Sequence, residues 1–190
     1  LEAALSSFAS RGFDGASIRD IASSVGLNHG LIKYHFSSKE ELWKESVEFL
    51  FARMEEELAE EEDPESSPVE RLKNGIRRYV HYCAKHPEHA RIMVQESTQR
   101  TDRLVWAVRK FIFPQHDQLF SDIKSDIGTG LWPNVNPISL TYIVVAAAQT
   151  IFMLAPEAKI IHKCDVTDRS FVDSHADAII SLFFEHKIVE

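Results

Sequence analysis

Apolar residues recur along this chain at intervals of three and four rather than two, so the elements it predicts are helices. Leu1, Leu5 and Phe8 open the series at helical spacing, and Gly12 stands where a C-cap glycine would end it. Residues 13–16 read as a turn. Ser17 then starts a short helix: Ser17 and Asp20 have capping-box spacing, and Ile18, Ile21, Ala22 and Val25 fall at i, i+3, i+4 and i+7. Gly26 breaks it, and Asn28 caps a second short helix that runs to about His35. A serine stands three residues before a glutamate in two registers, Ser37–Glu40 and Ser38–Glu41. Either starts a long helix through Leu42, Val47, Leu50, Phe51, Met54 and Leu58 to Glu62.

Helical segments continue at 69–85, 88–99, 102–127 (with Pro114 as a kink), 138–154 and 168 to about 186. No alternating strand pattern is left over, and the fold class expected is all-α. Pro64, Ser66, Ser67 and Pro68 mark a break. It divides the chain into a helix-turn-helix domain over 1–50, a linking-helix end and acidic loop over 51–68, and a helical bundle over 69–190.

Composition narrows the class. In 190 residues, 44% are hydrophobic and 26% charged, as in a soluble globular protein. Two cysteines, Cys83 and Cys164, point to a reducing, cytoplasmic setting. The longest apolar run, Ile143 to Ala155, is interrupted by Gln149 and Thr150 and falls short of the roughly 20 residues a bilayer requires, so no membrane partner is expected. The chain opens on Leu1 rather than methionine, and a segment is expected upstream. The formal net charge of -8 argues against general nucleic-acid coating, but its distribution alters that reading. Residues 1–39 hold four bases and three acids, whereas 55–65 alone holds eight acids and no base.

The three short N-terminal helices carry the strongest chemical signal. Two capped helices around Gly26-Leu27 make a helix-turn-helix. Ile18, Ile21, Val25, Leu27 and Ile32 can share a core with Leu5, Phe8 and Phe13, which leaves Asn28, His29, Gly30, Lys33, Tyr34 and His35 on the outer rim. Asn and His can bond base edges, Lys can reach guanine or phosphate, and Tyr can reach phosphate. Gly30 permits close approach to a groove. Ser17 and Lys39 start flanking helices, where backbone N–H groups favour a phosphate.

Gly12-Phe13-Asp14-Gly15-Ala16-Ser17-Ile18-Arg19-Asp20-Ile21-Ala22, then Val25 to Phe36, then Ser38-Lys39-Glu40-Glu41-Leu42 resemble the DNA-binding domain of the TetR family of bacterial transcriptional regulators. The resemblance implies that Ser17, Tyr34, His35 and Lys39 hold phosphates while Asn28, His29, Gly30 and Lys33 face bases. Two positions depart from it. Leu31 stands where many members carry Ser or Thr, and it either touches a thymine methyl or packs inside. Lys33 stands where many carry an aromatic ring.

The bundle is less explicit. Tyr79, Tyr82, Cys83, His86, Met93, Trp106, Phe113, Tyr142 and Gln149 are the candidate lining of a small-molecule pocket, set against the alternative that most are core. The resemblance implies that this part binds an effector. Cys83 and His86 stand at i, i+3 and can share a helix face, but His81 points elsewhere, Pro87 breaks the helix before His89, and no Cys-x-x-Cys, His-Glu-x-x-His, nucleophile elbow or phosphate loop occurs, so neither a metal, a resident cofactor nor an enzyme activity is expected. The apolar helices 138–154 and 168–186 predict a homodimer through Ile143, Ala147, Ile151, Ala176, Ile180, Phe183 and Phe184, an arrangement the resemblance also implies. The function expected is a repressor that binds a palindromic double-stranded DNA operator and releases it when an effector binds. An activator, or a relative that needs no ligand, is the alternative.

Overall fold

The computed structural model describes residues 1–59, 65–129, 132 and 134–184; among these there is no strand. The helices are α1 (Glu2–Gly15), α2 (Ile18–Ser24), α3 (His29–His35), α4 (Lys39–Leu58), α5 (Pro68–Lys85), α6 (Pro87–Ser97) and α7 (Asp102–Ala107). A π-helical turn over Val108–Ile112 leads into α8 (Phe113–Thr129), followed by α9 (Pro137–Met153), α10 (Ala155–His162) and α11 (Arg169–Phe184). The ends expected for α4 at Glu62 and for α11 at His186 lie outside the described residues. No single described helix is long and apolar enough to cross a membrane.

The chain forms two compact units, and they are not consecutive in sequence. The first holds Leu1–Glu57 and Glu88–Ile112; the second holds Leu58–Pro87 and the chain from Phe113 onward. The expected division into a head over 1–50 and a body over 69–190 is corrected in this respect: residues 88–112 pack with the head.

The reason is aromatic. Leu5 and Phe8 of α1, Ile21 and Ala22 of α2, Ile32 of α3, and Leu42, Trp43, Val47 and Leu50 of α4 make one buried core. Trp106 and Phe111 join it, Trp106 tilted against Trp43 at 6.0 Å and Phe111 stacked on Phe51 at 4.6 Å. Burying a large apolar side chain contributes roughly 1.5–3 kcal/mol. Part of the cover over Trp43 and Phe51 thus comes from Trp106 and Phe111, far along the chain. Arg53 adds a link, reaching Glu88 at 2.5 Å and Glu2 at 3.2 Å.

In the second unit α5 packs on α9 and α11, and α8 and α10 flank α9. A capping box, Ser67 with Glu70, starts α5, and Asn136 caps α9 through the N–H groups of Ile138 and Ser139. The kink expected at Pro114 takes the form of the π-helical turn just before it. Proline lacks the N–H that would continue the α-helical ladder and crowds the preceding turn, and a wider turn relieves both. Helix α10 was not expected, because Pro156 reads as a stop. Proline is equally suited to a first turn, and here Pro156 starts a new helix that ends at Lys163 in the left-handed region (φ 56).

Candidate nucleic-acid interface

The helix-turn-helix is built from short-range capping. Ser17 Oγ accepts from the Asp20 N–H at 3.4 Å and starts α2, which Ile21 and Ala22 anchor in the core. The turn closes with Leu27 N–H donating to the Ala22 carbonyl at 2.9 Å. Gly26 sits at φ 67 with no atom near where a Cβ would stand, so its requirement is purely conformational. Asn28 Oδ1 accepts from Gly30 N–H at 2.7 Å and starts α3.

On α3 only Ile32 is buried. His29 is half-buried, and Gly30, Leu31, Lys33, Tyr34 and His35 are exposed. Tyr34 is 83% exposed, an unusual state for a large aromatic side chain on a regular helix. Leu31 is exposed, so of its two expected placements the structure takes the outward one. Gly30 has a local role besides groove approach: a Cβ there would stand 3.2 Å from the capping oxygen of Asn28.

The cations divide into engaged and free. Arg11 pairs with Asp20 at 3.1 Å. Lys39 Nζ donates to the Asp14 and Ala16 carbonyls at 3.3 and 3.2 Å and lies 4.6 Å from the Phe13 ring centroid, so its ammonium ties α4 to the α1–α2 turn. Of the two cap registers the structure takes Ser38, whose Oγ accepts from Glu41 N–H at 3.0 Å. The Glu41 carboxylate in turn accepts from the Ser37 hydroxyl and N–H, and those bonds lower its pKa. Lys33 and Arg19 are exposed and pair with no acid among the described residues. Arg19 was missed in the sequence because neither spacing nor capping singles it out. Only the pairing of its neighbours reveals it as an available cation.

Residues 1–45 match the model of the bacterial regulatory proteins of the tetR family. This chain matches that family over its helix-turn-helix, α1–α3 and the start of α4. It is 33% identical over 105 residues to the HTH-type transcriptional repressor KstR2 of Mycobacterium tuberculosis, covering 53% of this chain and 50% of that protein. It is 29% identical over 97 residues to the HTH-type transcriptional repressor NicS of Pseudomonas putida, covering 51% and 46%. The chain thus spans about half the length of the curated relatives it matches. The fold extends further: AibR, crystallised with isovaleryl coenzyme A and operator DNA, superposes with a TM-score of 0.75 over 96% of this chain and 97% of its own at 18% identity.

In the second unit the expected pocket residues do not form one group. Tyr79, Tyr82, Cys83 and His86 lie on α5, and the Tyr79 hydroxyl donates to Gln149 Oε1 of α9 at 3.5 Å. Burial pushes the Tyr79 phenol well above its ordinary range and the Cys83 thiol up to about 12. Tyr82 and His86 are buried with rings 5.0 Å apart. Met93 and Trp106 are corrected out of this group: both pack against the core of the first unit. Trp106 lines a shallow groove there of about 480 Å³ with Asp102, Val105, Arg109 and Lys110. Phe113 and Tyr142 are corrected as well, since both face outward. Tyr142 lies on the side of α9 away from its buried residues Leu140, Thr141, Ala148 and Phe152.

The expected dimer residues divide too. Ala176 and Ile180 are 1% and 2% exposed in the single chain, because with Val172 and Ile179 they form the inward stripe of α11. They are corrected out of any surface a partner could cover. Ala147 is half-buried, and its carbonyl accepts from His175 Nε2 at 2.9 Å. Phe183 and Phe184 pack on Trp132, and Ile151 is half-buried. Ile143 is exposed, joined on α9 by Ile138 and Tyr142 and on α11 by Leu182. The described residues contain no group of three His, Cys, Asp or Glu side chains placed to share a metal ion.

Proposed function

We propose that this chain is a homodimeric, DNA-binding transcriptional repressor that releases its operator when a small molecule binds its second unit. The observation that carries the reading is α3. It is capped by Asn28 and anchored through Ile32, and it turns Gly30, Leu31, Lys33, Tyr34 and His35 outward. A helix that exposes a tyrosine, a lysine and a histidine in succession is suited to a major groove, with base contacts from its first turn and phosphate contacts from its last. The relatives are described as repressors, which supports the direction of regulation.

A palindromic site requires two reading heads roughly 34–36 Å apart, one helical turn of DNA. The dimer in this reading forms through the outward face of α9. There Ile138, Tyr142 and Ile143 alternate with small Ser139 and Ala146, and Leu182 of α11 is also exposed. Small residues let two such helices approach closely, and paired helices would bury the apolar side chains in a four-helix arrangement. The effector site lies around α5 and α9, where Tyr79, Cys83 and Gln149 bring polar groups into an apolar bundle. The effector lowers operator affinity by preferring the conformation that does not bind DNA.

Fluorescence anisotropy with the DNA upstream of the protein's own gene, against a scrambled duplex at moderate salt, tests the reading. The expected result is preference for the upstream duplex. Lys33→Ala relaxes base preference, and Tyr34→Phe weakens all duplexes alike. Equal affinity for upstream and scrambled DNA overturns it.

A further inference from the structure

We infer that Arg103, held by Glu96 and assisted by Gln95, is a positioning residue for the reading head, acting on Phe13 from a segment that the sequence assigns elsewhere. This rests on the DNA-binding reading above.

Phe13 stands at a bend. Helix α1 is interrupted at Gly12 (φ 70, ψ 175), and the chain then runs through Phe13 to Ser17, the cap of α2. Where Phe13 is held therefore sets where α2 starts, and α2 carries α3 through the four-residue turn between them. The Phe13 ring stacks on Phe8 at 6.2 Å and meets Trp43 edge-on at 6.5 Å. The Arg103 guanidinium lies 3.6 Å from its centroid, close enough for a stacked cation–π contact, and 5.7 Å from that of Trp43.

Arg103 is itself fixed. Its Nε donates to Glu96 Oε2 and its Nη2 meets Glu96 Oε1, both at 3.3 Å. Glu96 is 5% exposed, and its carboxylate also accepts from the Thr101 hydroxyl, which caps α7 through Leu104 N–H at 3.0 Å. An ion pair this sheltered is expensive to desolvate and contributes little net stability compared with apolar residues of the same volume. What a forked, planar guanidinium supplies instead is direction: it aligns with the carboxylate and presents a flat face to the ring. A second strut stands nearby, where Gln95 Nε2 donates to the Ala9 carbonyl at 3.0 Å, three residues before the bend.

The clamp therefore joins α6 and α7 to the bend before α2. In the chain these helices directly follow α5, which carries Tyr79 and Cys83. The contact that orients the reading helix is thus made by the first segment to leave the proposed effector-binding bundle.

Two measurements on the full chain test the inference. The first is amide hydrogen exchange of the DNA-free protein. Arg103→Lys keeps the charge and the length but loses the fork, so the unit still folds. It is expected to speed exchange about tenfold over residues 17–36 and leave α5, α9 and α11 unchanged. The second is a double-mutant cycle in operator affinity between Arg103→Lys and Phe13→Leu. Each single change is expected to weaken the operator about tenfold, and the double to be little worse than the more severe single. Unchanged exchange over 17–36, or single losses that multiply in the double, overturns the clamp. Faster exchange in a protein whose wild type prefers no DNA would instead overturn the DNA-binding reading and leave the clamp standing.

Discussion

Asn28 serves two purposes at one position, and substitution can separate them. Its Oδ1 caps α3 by accepting from Gly30 N–H at 2.7 Å, while its amide group is exposed and available to a base edge. Asn28→Ala removes both. Loss of the cap costs about 1 kcal/mol (range roughly 0.5–2), which lowers the thermal midpoint of a chain of this size by about 2–4 °C. Asn28→Ser keeps a capping oxygen of similar quality, so stability stays within a few tenths of a kcal/mol, but no amide remains. Loss of a bidentate base contact costs roughly 1–3 kcal/mol, that is about tenfold in affinity for each 1.4 kcal/mol. Asn28→Asp keeps the cap and places a negative charge where the helix dipole favours it, yet sets a carboxylate against the phosphates. The two rankings diverge: stability runs Asp, Asn and Ser above Ala, while operator affinity runs Asn above Ser and Ala, with Asp lowest. Thermal melts and anisotropy titrations on the four proteins give both series. If affinity simply follows stability across them, Asn28 acts only by holding α3 together and its assignment to a base is wrong.

Three further outcomes are expected. Gly26→Ala meets no steric obstacle but forces an L-residue to φ 67, so it should cost roughly 1–2 kcal/mol in urea unfolding, and a neutral result would refute the conformational account. Burial holds the Cys83 thiol protonated up to about pH 12, against an ordinary value of 9.0. Its stabilising contribution is therefore full below about pH 9 and is lost as pH rises toward 12. The urea midpoint should fall over that window, less steeply in Cys83→Ala, and equal slopes would count against the buried thiol. Leu182→Glu and Tyr142→Glu alter exposed positions and should leave the helical content intact while shifting the mass in sedimentation from dimer to monomer. A dimer that survives both changes lies elsewhere.

The elements legible in the sequence are those set by contacts within a few residues. Ser17, Asn28 and Ser38 cap the helices they were expected to start, and Gly26 takes the positive φ that the turn needs. Gly12 likewise takes a positive φ, though it bends α1 instead of ending it. The outward residues of α3 follow from the same local logic, because a seven-residue helix anchored through Ile32 leaves most of its other positions outside, although His29 is half-buried. What the sequence could not assign depended on partners far along the chain. Residues 88–112 belong with the head because Trp43 and Phe51 need covering, and no short-range pattern records that Trp106 and Phe111 cover them. Ala176 and Ile180 face inward because α5 and α9 occupy that side of α11; apolar periodicity shows that a stripe exists but not which of two apolar stripes meets the chain's own helices. Lys39 and Arg103 make the same point for charge. The sequence offers Lys39 to a phosphate and gives Arg103 no role, and only the tertiary structure places one on the Asp14 and Ala16 carbonyls and the other on the face of Phe13. Hydrogen bonds to near neighbours are encoded in spacing, whereas side chains that meet across 60 or 90 residues are decided by which surfaces are left uncovered once the helices have formed.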